Sequence, residues 1–147
     1  MNNFLYIVDM NVKYKKYIEY IAKDIEAPYL INMREMYGLK DNECELVLSK
    51  LYDQPVTIKD RSVYDTNGNR IYSEDSSGYW YKKEYDNQGN RIYRENSNGF
   101  WVKREYDTNG NEIYYETSSG YWVKREYDNN GNEIYYENSD GYIEDNR

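Results

Sequence analysis

Carboxylates are the most plentiful reactive groups in this chain: 27 Asp and Glu stand against 19 Lys and Arg, with no histidine at all. Two carboxylates of unequal acidity hydrolyse glycosides, but no Asp/Glu pair here stands apart from a repeating pattern. Without histidine, the commonest general base and metal ligand is missing. Cys44 is the single cysteine. It falls on a predicted helix with no imidazole to activate it, which reads as a buried structural thiol. Segments such as Asp107-Thr108-Asn109-Gly110-Asn111 share residues with calcium loops. They lack the spacing and the closing bidentate Glu of an EF-hand, so a hairpin turn is the better reading. No Gly-rich phosphate loop lies at a strand–helix junction. The expectation is a non-enzyme that uses no cofactor and no metal.

Acidic and aromatic surface is what the sequence offers instead. Residues 106–147 hold ten acidic side chains against Lys124, Arg125 and Arg147, whereas residues 64–105 hold seven of each sign. Nearly all of the net charge of −8 therefore sits in the last 42 residues. Matching positions make the difference: Arg70 and Arg91 give way to Glu112 and Glu133, and Arg94 to Tyr115. Such an excess serves solubility, or it meets a basic partner and steers the encounter. Direct binding to DNA or RNA is disfavoured because phosphates are repelled, although aromatic rings stack on bases. The candidate contacts are the charges Glu112, Glu116, Glu126, Asp128, Glu133 and Glu137, with Trp101, Trp122, Tyr115 and Tyr136 as aromatic anchors. For Trp80, Trp101 and Trp122 a ladder that stiffens a sheet is the competing reading.

The elements that must position these groups are repeats. Tyr64-Asp65, Tyr85-Asp86, Tyr106-Asp107 and Tyr127-Asp128 recur every 21 residues, marking four copies of one unit. Each copy carries two turn signals, Asp-x-x-Gly-Asn and Ser-x-Gly, around β-prone runs such as Glu112–Glu116 and Tyr121–Tyr127. A unit is a hairpin, and the array is an antiparallel meander of eight or nine strands. Single hairpins are marginal, so the copies must stack. An odd repeat turns every equivalent side chain over unless one loop is even and the other odd. A four-residue Asp-x-x-Gly loop and a three-residue Ser-x-Gly loop satisfy this. One face then gathers Ile71, Ile92, Ile113 and Ile134 with Tyr79, Phe100, Tyr121, Val102, Val123, Tyr85, Tyr106 and Tyr127. The other gathers Trp80, Trp101 and Trp122 with Tyr72, Tyr93, Tyr114, Tyr135 and the Lys/Glu positions. The alternative arrangement puts Ile113 with Trp101 and pairs Glu112 with Arg125.

The first segment speaks a different grammar. Tyr14, Tyr17, Ile18, Ile21 and Ile25 share one face of a helix over 11–26. Phe4–Val8 reads as a short strand or helical lead-in. Pro28 suits the first turn of a second helix and Gly38 its end. A third helix is predicted at 42–52, capped by Asp41 or Asn42, with Leu46, Val47 and Leu51 as its stripe. Val56–Lys59 reads as a lead strand. Three short helices invite a helix-turn-helix reading, but this segment has no basic recognition face. Val, Ile, Leu and Phe are sparse while Tyr numbers 21, so the expectation is an ordered fold with a thin, aromatic core. The start has no basic n-region, and Phe4–Val8 is too short to cross a membrane, which points to a cytoplasmic protein with no membrane partner.

The phrase Tyr-Asp-x-x-Gly-Asn at 64–69, 85–90, 106–111 and 127–132 resembles the YD repeats of Rhs-type proteins, which implies a spiral of β-hairpins. Asn-Gly-Asn-x-Ile-Tyr-Tyr followed by Ser-x-Gly-Tyr-Trp also looks like the aromatic hairpins of choline- and glucan-binding modules. Both resemblances cover residues 64–147. Rhs-type shells are far longer than four copies, and wall-binding modules are exported. The Asn-, Tyr-, Lys-, Glu- and Ile-rich composition is reminiscent of phage and mobile-element proteins. The whole reads as an α+β chain: a short, mostly helical N-terminal cap over 1–60 that covers the first strand or one sheet face, then an antiparallel β-hairpin repeat meander over 61–147. The expected function is that of a non-catalytic interaction module, in its most concrete form a phage inhibitor. Like anti-CRISPR DNA mimics, it presents carboxylates to a basic protein surface where phosphates lie. A carbohydrate- or wall-binding repeat is the second reading, and a structural repeat with no tight ligand the third.

Overall fold

The computed structural model describes the backbone from Asn11 to Arg147 and side chains from Ile18 onward. The element expected at Phe4–Val8 and the side chains of Tyr14 and Tyr17 lie outside the described residues. The chain divides into two compact units, Met1–Gly68 and Asn69–Arg147.

In the first unit, α1 spans Asn11–Asp24 and buries Ile21 and Ala22, with Ile25 just beyond its end. Pro28 stands immediately before α2, Tyr29–Ile31, and its carbonyl accepts the Asn32 N–H at 3.1 Å. The segment continues as a π-helical turn, Asn32–Met36, which the periodicity did not announce. Gly38, at φ +66°, closes it where the Leu39 N–H reaches the Met33 carbonyl. Helix α3 spans Asp41–Leu51. Its cap corrects the expectation: Lys40 holds the N-cap position and its N–H donates to the Glu43 carboxylate at 2.8 Å. Asp41 already lies in the first turn, where Arg34 engages its carboxylate at 2.7 Å. The buried stripe is Cys44, Val47 and Leu48, not Leu46, Val47 and Leu51. Cys44 and Leu48 flank Val47 on one face, whereas Leu51 falls in the last turn and is 36% exposed. The Cys44 thiol is pushed up to about 11 by burial, which leaves it inert as a nucleophile.

Helix α3 also holds the first hairpin, β1 (Thr57–Lys59) and β2 (Ser62–Tyr64). The Ser49 hydroxyl accepts the Val56 N–H at 3.1 Å, and the Glu45 carboxylate accepts the Ile58 N–H at 2.8 Å. Those bonds satisfy backbone donors on a strand edge that would otherwise be unpaired. No helix among the described residues is long and apolar enough to cross a membrane.

The second unit is an antiparallel meander in which each strand pairs with the next. Its strands are β3 (Arg70–Glu74), β4 (Trp80–Tyr85), β5 (Arg91–Asn96), β6 (Trp101–Tyr106), β7 (Glu112–Thr117), β8 (Trp122–Tyr127), β9 (Glu133–Asn138) and β10 (Ile143–Asp145). The two kinds of turn prove to be one design. In the Asp107 turn, Asp107 N–H donates to the Asn111 carbonyl and Gly110 N–H to the Asp107 carbonyl; Thr117, Gly120 and Tyr121 make the same two bonds. Both loops are therefore three residues long, closed by a glycine at φ +86° and +85° respectively, and the expected four-residue Asp-x-x-Gly loop is not formed.

The odd repeat length is absorbed by a β-bulge instead. Glu105 pairs with Tyr114 while the adjacent Tyr106 pairs with Glu112, so Ile113 is passed over; Ile92 and Ile134 are skipped in the same way. An extra residue restores the alternation that two odd loops would break. Each bulge has its own hydroxyl: Tyr85, Tyr106 and Tyr127 donate to the carbonyls of Arg70, Arg91 and Glu112 at 3.3–3.5 Å. The tyrosine of the second, third and fourth Tyr-Asp pairs thus reaches 15 residues back across the sheet.

The register sorts the side chains into two faces. The tryptophan face carries cross-strand rows such as Glu84–Tyr93–Lys103–Glu116–Trp122 and, 21 residues on, Glu105–Tyr114–Lys124–Glu137, where Ile143 takes the place of a further Trp. The arginine face carries Lys83–Arg94–Val102–Thr117 and Arg104–Tyr115–Val123–Asn138. Trp80, Trp101 and Trp122 do share a face with Tyr72, Tyr93, Tyr114 and Tyr135, as expected. Two expectations need correction. Charge is not confined to that face, and Ile92, Ile113 and Ile134 sit at bulges, not in a core stripe beside Val102 and Val123, although Ile71 is buried. The core is thin: along β4–β9, Val102 and Val123 are the buried apolar residues.

Candidate protein-binding surface

Tryptophans 101 and 122 are half-exposed on the tryptophan face, and Glu116, Glu126 and Glu137 share it. Glu116 lies opposite both Lys103 and Trp122, which alternation places on one side of the sheet. Lys124 lies over the Trp122 ring at 5.0 Å and Lys103 over the Tyr114 ring at 5.8 Å. Lys103 also meets the Glu105 carboxylate at 3.1 Å, and that bond holds its ammonium above the ordinary lysine range. Tyr135 donates to Glu137 at 3.0 Å, and Arg147 joins Glu126 at 3.0 Å while lying over the Tyr135 ring. Between these rows lies an open depression of about 430 Å³, lined by Tyr114, Tyr135, Lys103, Lys124, Glu105 and Glu126 among others. Burial, then the neighbouring Glu116 carboxylate, raises the Tyr114 phenol, so it stays a neutral donor.

Four other candidates occupy the opposite face. Glu112 is clamped by two arginines, Arg104 Nε at 3.0 Å and Arg125 Nη1 at 2.7 Å, and Arg125 also reaches Glu133 at 3.4 Å. Arg104 and Arg125 lie over the rings of Tyr115 and Tyr136 at 5.2 and 5.7 Å, and those rings meet Tyr121 and Tyr142 edge-on. Glu112 and its arginines form a framework, with side chains only 20–28% exposed. Asp128 belongs to neither face. One of its oxygens accepts the N–H groups of Asn130 and Asn132 and the other accepts the Asn132 amide. The same bonds hold Asp86, Asp107 and Asp128 below the usual carboxylate range, the side-chain Asn bond contributing most to each.

The ten candidates thus fall into three groups. Trp101, Trp122, Glu116, Glu126 and Glu137 come together on the tryptophan face. Glu112, Glu133, Tyr115 and Tyr136 come together on the arginine face, and Asp128 serves its own turn. The interleaved Lys103, Lys124, Tyr114 and Tyr135, expected on this face but not counted among its contacts, form one surface with the first group. The signal was present, since all four lie an even number of residues from a Trp or Glu of that face along their strands. No protein-family model matches this sequence, and comparison with curated proteins finds no match.

Proposed function

We propose that this chain is a non-catalytic interaction module whose acidic, aromatic tryptophan face over β7–β9 docks onto a basic protein surface. One observation carries the reading: Glu116, Glu126 and Glu137 share a solvent-reaching face with half-exposed Trp122 and Tyr135, in the stretch that holds almost all of the net charge. Flat aromatic anchors set among carboxylates suit a channel built for bases and phosphates. In its most specific form the module is a phage or mobile-element inhibitor that fills the nucleic-acid channel of an effector nuclease. Titration into RNA-guided nucleases, with release of bound duplex as the readout, tests this. The expected result is release that weakens steeply with salt and is lost in Glu116→Lys/Glu126→Lys/Glu137→Lys. Release that is indifferent to both overturns the electrostatic mechanism.

The depression between Tyr114 and Tyr135 favours a second reading, a saccharide stacked on the two rings. Retention on β-glucan or choline resins unchanged by high salt, and lost in Tyr114→Ala, selects that reading over the first.

A further inference from the structure

The arginine face is bipolar. Along β4–β6 it presents Lys83, Arg91, Arg94 and Arg104 and no carboxylate, because Lys83 pairs with Arg94, Arg94 with Val102, and Tyr85 with Arg91. Like charges directly opposite one another destabilise a sheet. Arg91 occupies the repeat position that Glu112 fills one copy later, where a carboxylate accepts two arginines at 3.0 and 2.7 Å. In the earlier copy a third cation stands there instead. The Nε of Arg91 and the Nη1 of Arg104 are buried without a hydrogen-bond partner. Burial first, then Arg70, Arg91 and Arg94, lowers the Lys83 ammonium, so the charges sense one another. Along β7–β10 the same face carries Glu112, Glu133 and Glu144 against Arg125 alone.

We propose that the arginine face is the interface of a two-fold homodimer, in which β4–β6 of one copy lies on β7–β10 of the other. A two-fold axis between the faces makes both basic-on-acidic contacts at once, since residue i meeting j entails j meeting i. The contact also covers Tyr81, Tyr85, Tyr106 and Tyr115, none of which is buried in the single chain. Stacked sheets lie about 10 Å apart, within reach of paired arginine and glutamate side chains. The proposed docking of the tryptophan face uses the other side of the sheet, so either proposal can fail without the other.

Sedimentation velocity tests the dimer with variants that borrow residues from other copies, which the repeat already accommodates. Arg91→Glu/Arg94→Tyr installs the pair found at 112 and 115, and Glu133→Arg/Tyr136→Arg installs the pair found at 91 and 94. The wild type is expected to be a dimer at low ionic strength that dissociates as salt rises. Each variant alone is expected to be monomeric with an unchanged circular dichroism spectrum, and an equimolar mixture to restore dimers of one of each. If the second variant fails to fold, Glu133→Gln/Glu144→Gln replaces it, with weakened dimerisation expected. A wild type that is monomeric at every ionic strength overturns the proposal, as does a first variant that still dimerises. Arg91-dependent capture of a DNA duplex by monomeric wild type also overturns it, assigning the face to a polyanion instead.

Discussion

Arg91 and Glu112 occupy the same place in successive copies of one hairpin, and comparing them shows what a repeat can and cannot change. The backbone does not register the exchange: turns, bulge and the tyrosine bond across it are alike in both copies. What changes is electrostatic. In β6–β9 the row Arg104, Glu112, Arg125, Glu133 alternates in sign and its members are bonded to one another. In β4–β6, Lys83, Arg91, Arg94 and Arg104 share one sign. Turns and bulges carry the fold, which leaves the rows free to diverge in charge.

The largest expected effect comes from giving the later copy the earlier residue. Glu112→Arg leaves Arg104 and Arg125 partly buried without their shared carboxylate. It should cost about 2–3 kcal/mol in urea unfolding, less than a fully buried pair because both arginines keep some solvent. Next comes Gly110→Ala. A β-carbon there meets nothing within 4 Å, so the cost is backbone strain alone at φ +86°, about 1–2 kcal/mol in the same experiment. A similar cost at Gly120 is expected, because the two turns are one structure; a much smaller one would break that equivalence.

Acid should loosen the Asp turns in both halves alike. The folded-state pKa values of Asp86, Asp107 and Asp128 are depressed, so their stabilisation is complete above the unfolded carboxylate range, near pH 3.9. It is lost as pH falls through their lower folded values. Carboxyl chemical shifts followed by NMR should show all three titrating below an ordinary aspartate. The smallest effect belongs to Tyr127→Phe, which removes a 3.3 Å bond to the Glu112 carbonyl and should cost about 0.5–1 kcal/mol.

Much of the array was legible because glycine turns and alternating side chains are local. The 21-residue spacing yielded eight or nine strands in order, of which the second unit forms eight, and the grouping of tryptophans with Tyr72, Tyr93, Tyr114 and Tyr135 followed from parity. The bulge was not legible, because an extra residue in a strand and an extra residue in a loop solve the parity problem equally well. The second turn hid its anchor for a different reason. Asp75, Asn96, Thr117 and Asn138 open the Ser-x-Gly turns as Asp opens the others, but their identities vary, and only the shared bond pattern makes them equivalent. The grouping of contact residues failed at Glu112 and Glu133 because the bulge moves them to the face of the arginines.

Unfolding of Arg91→Glu, compared with wild type at a concentration where both are monomeric, tests the charge comparison most directly. The variant is expected to be the more stable at low salt, with the gap narrowing as salt rises, because a carboxylate between Lys83 and Arg104 recreates the pairing seen at Glu112. A variant that is no more stable than wild type, or whose difference ignores salt, would contradict the account.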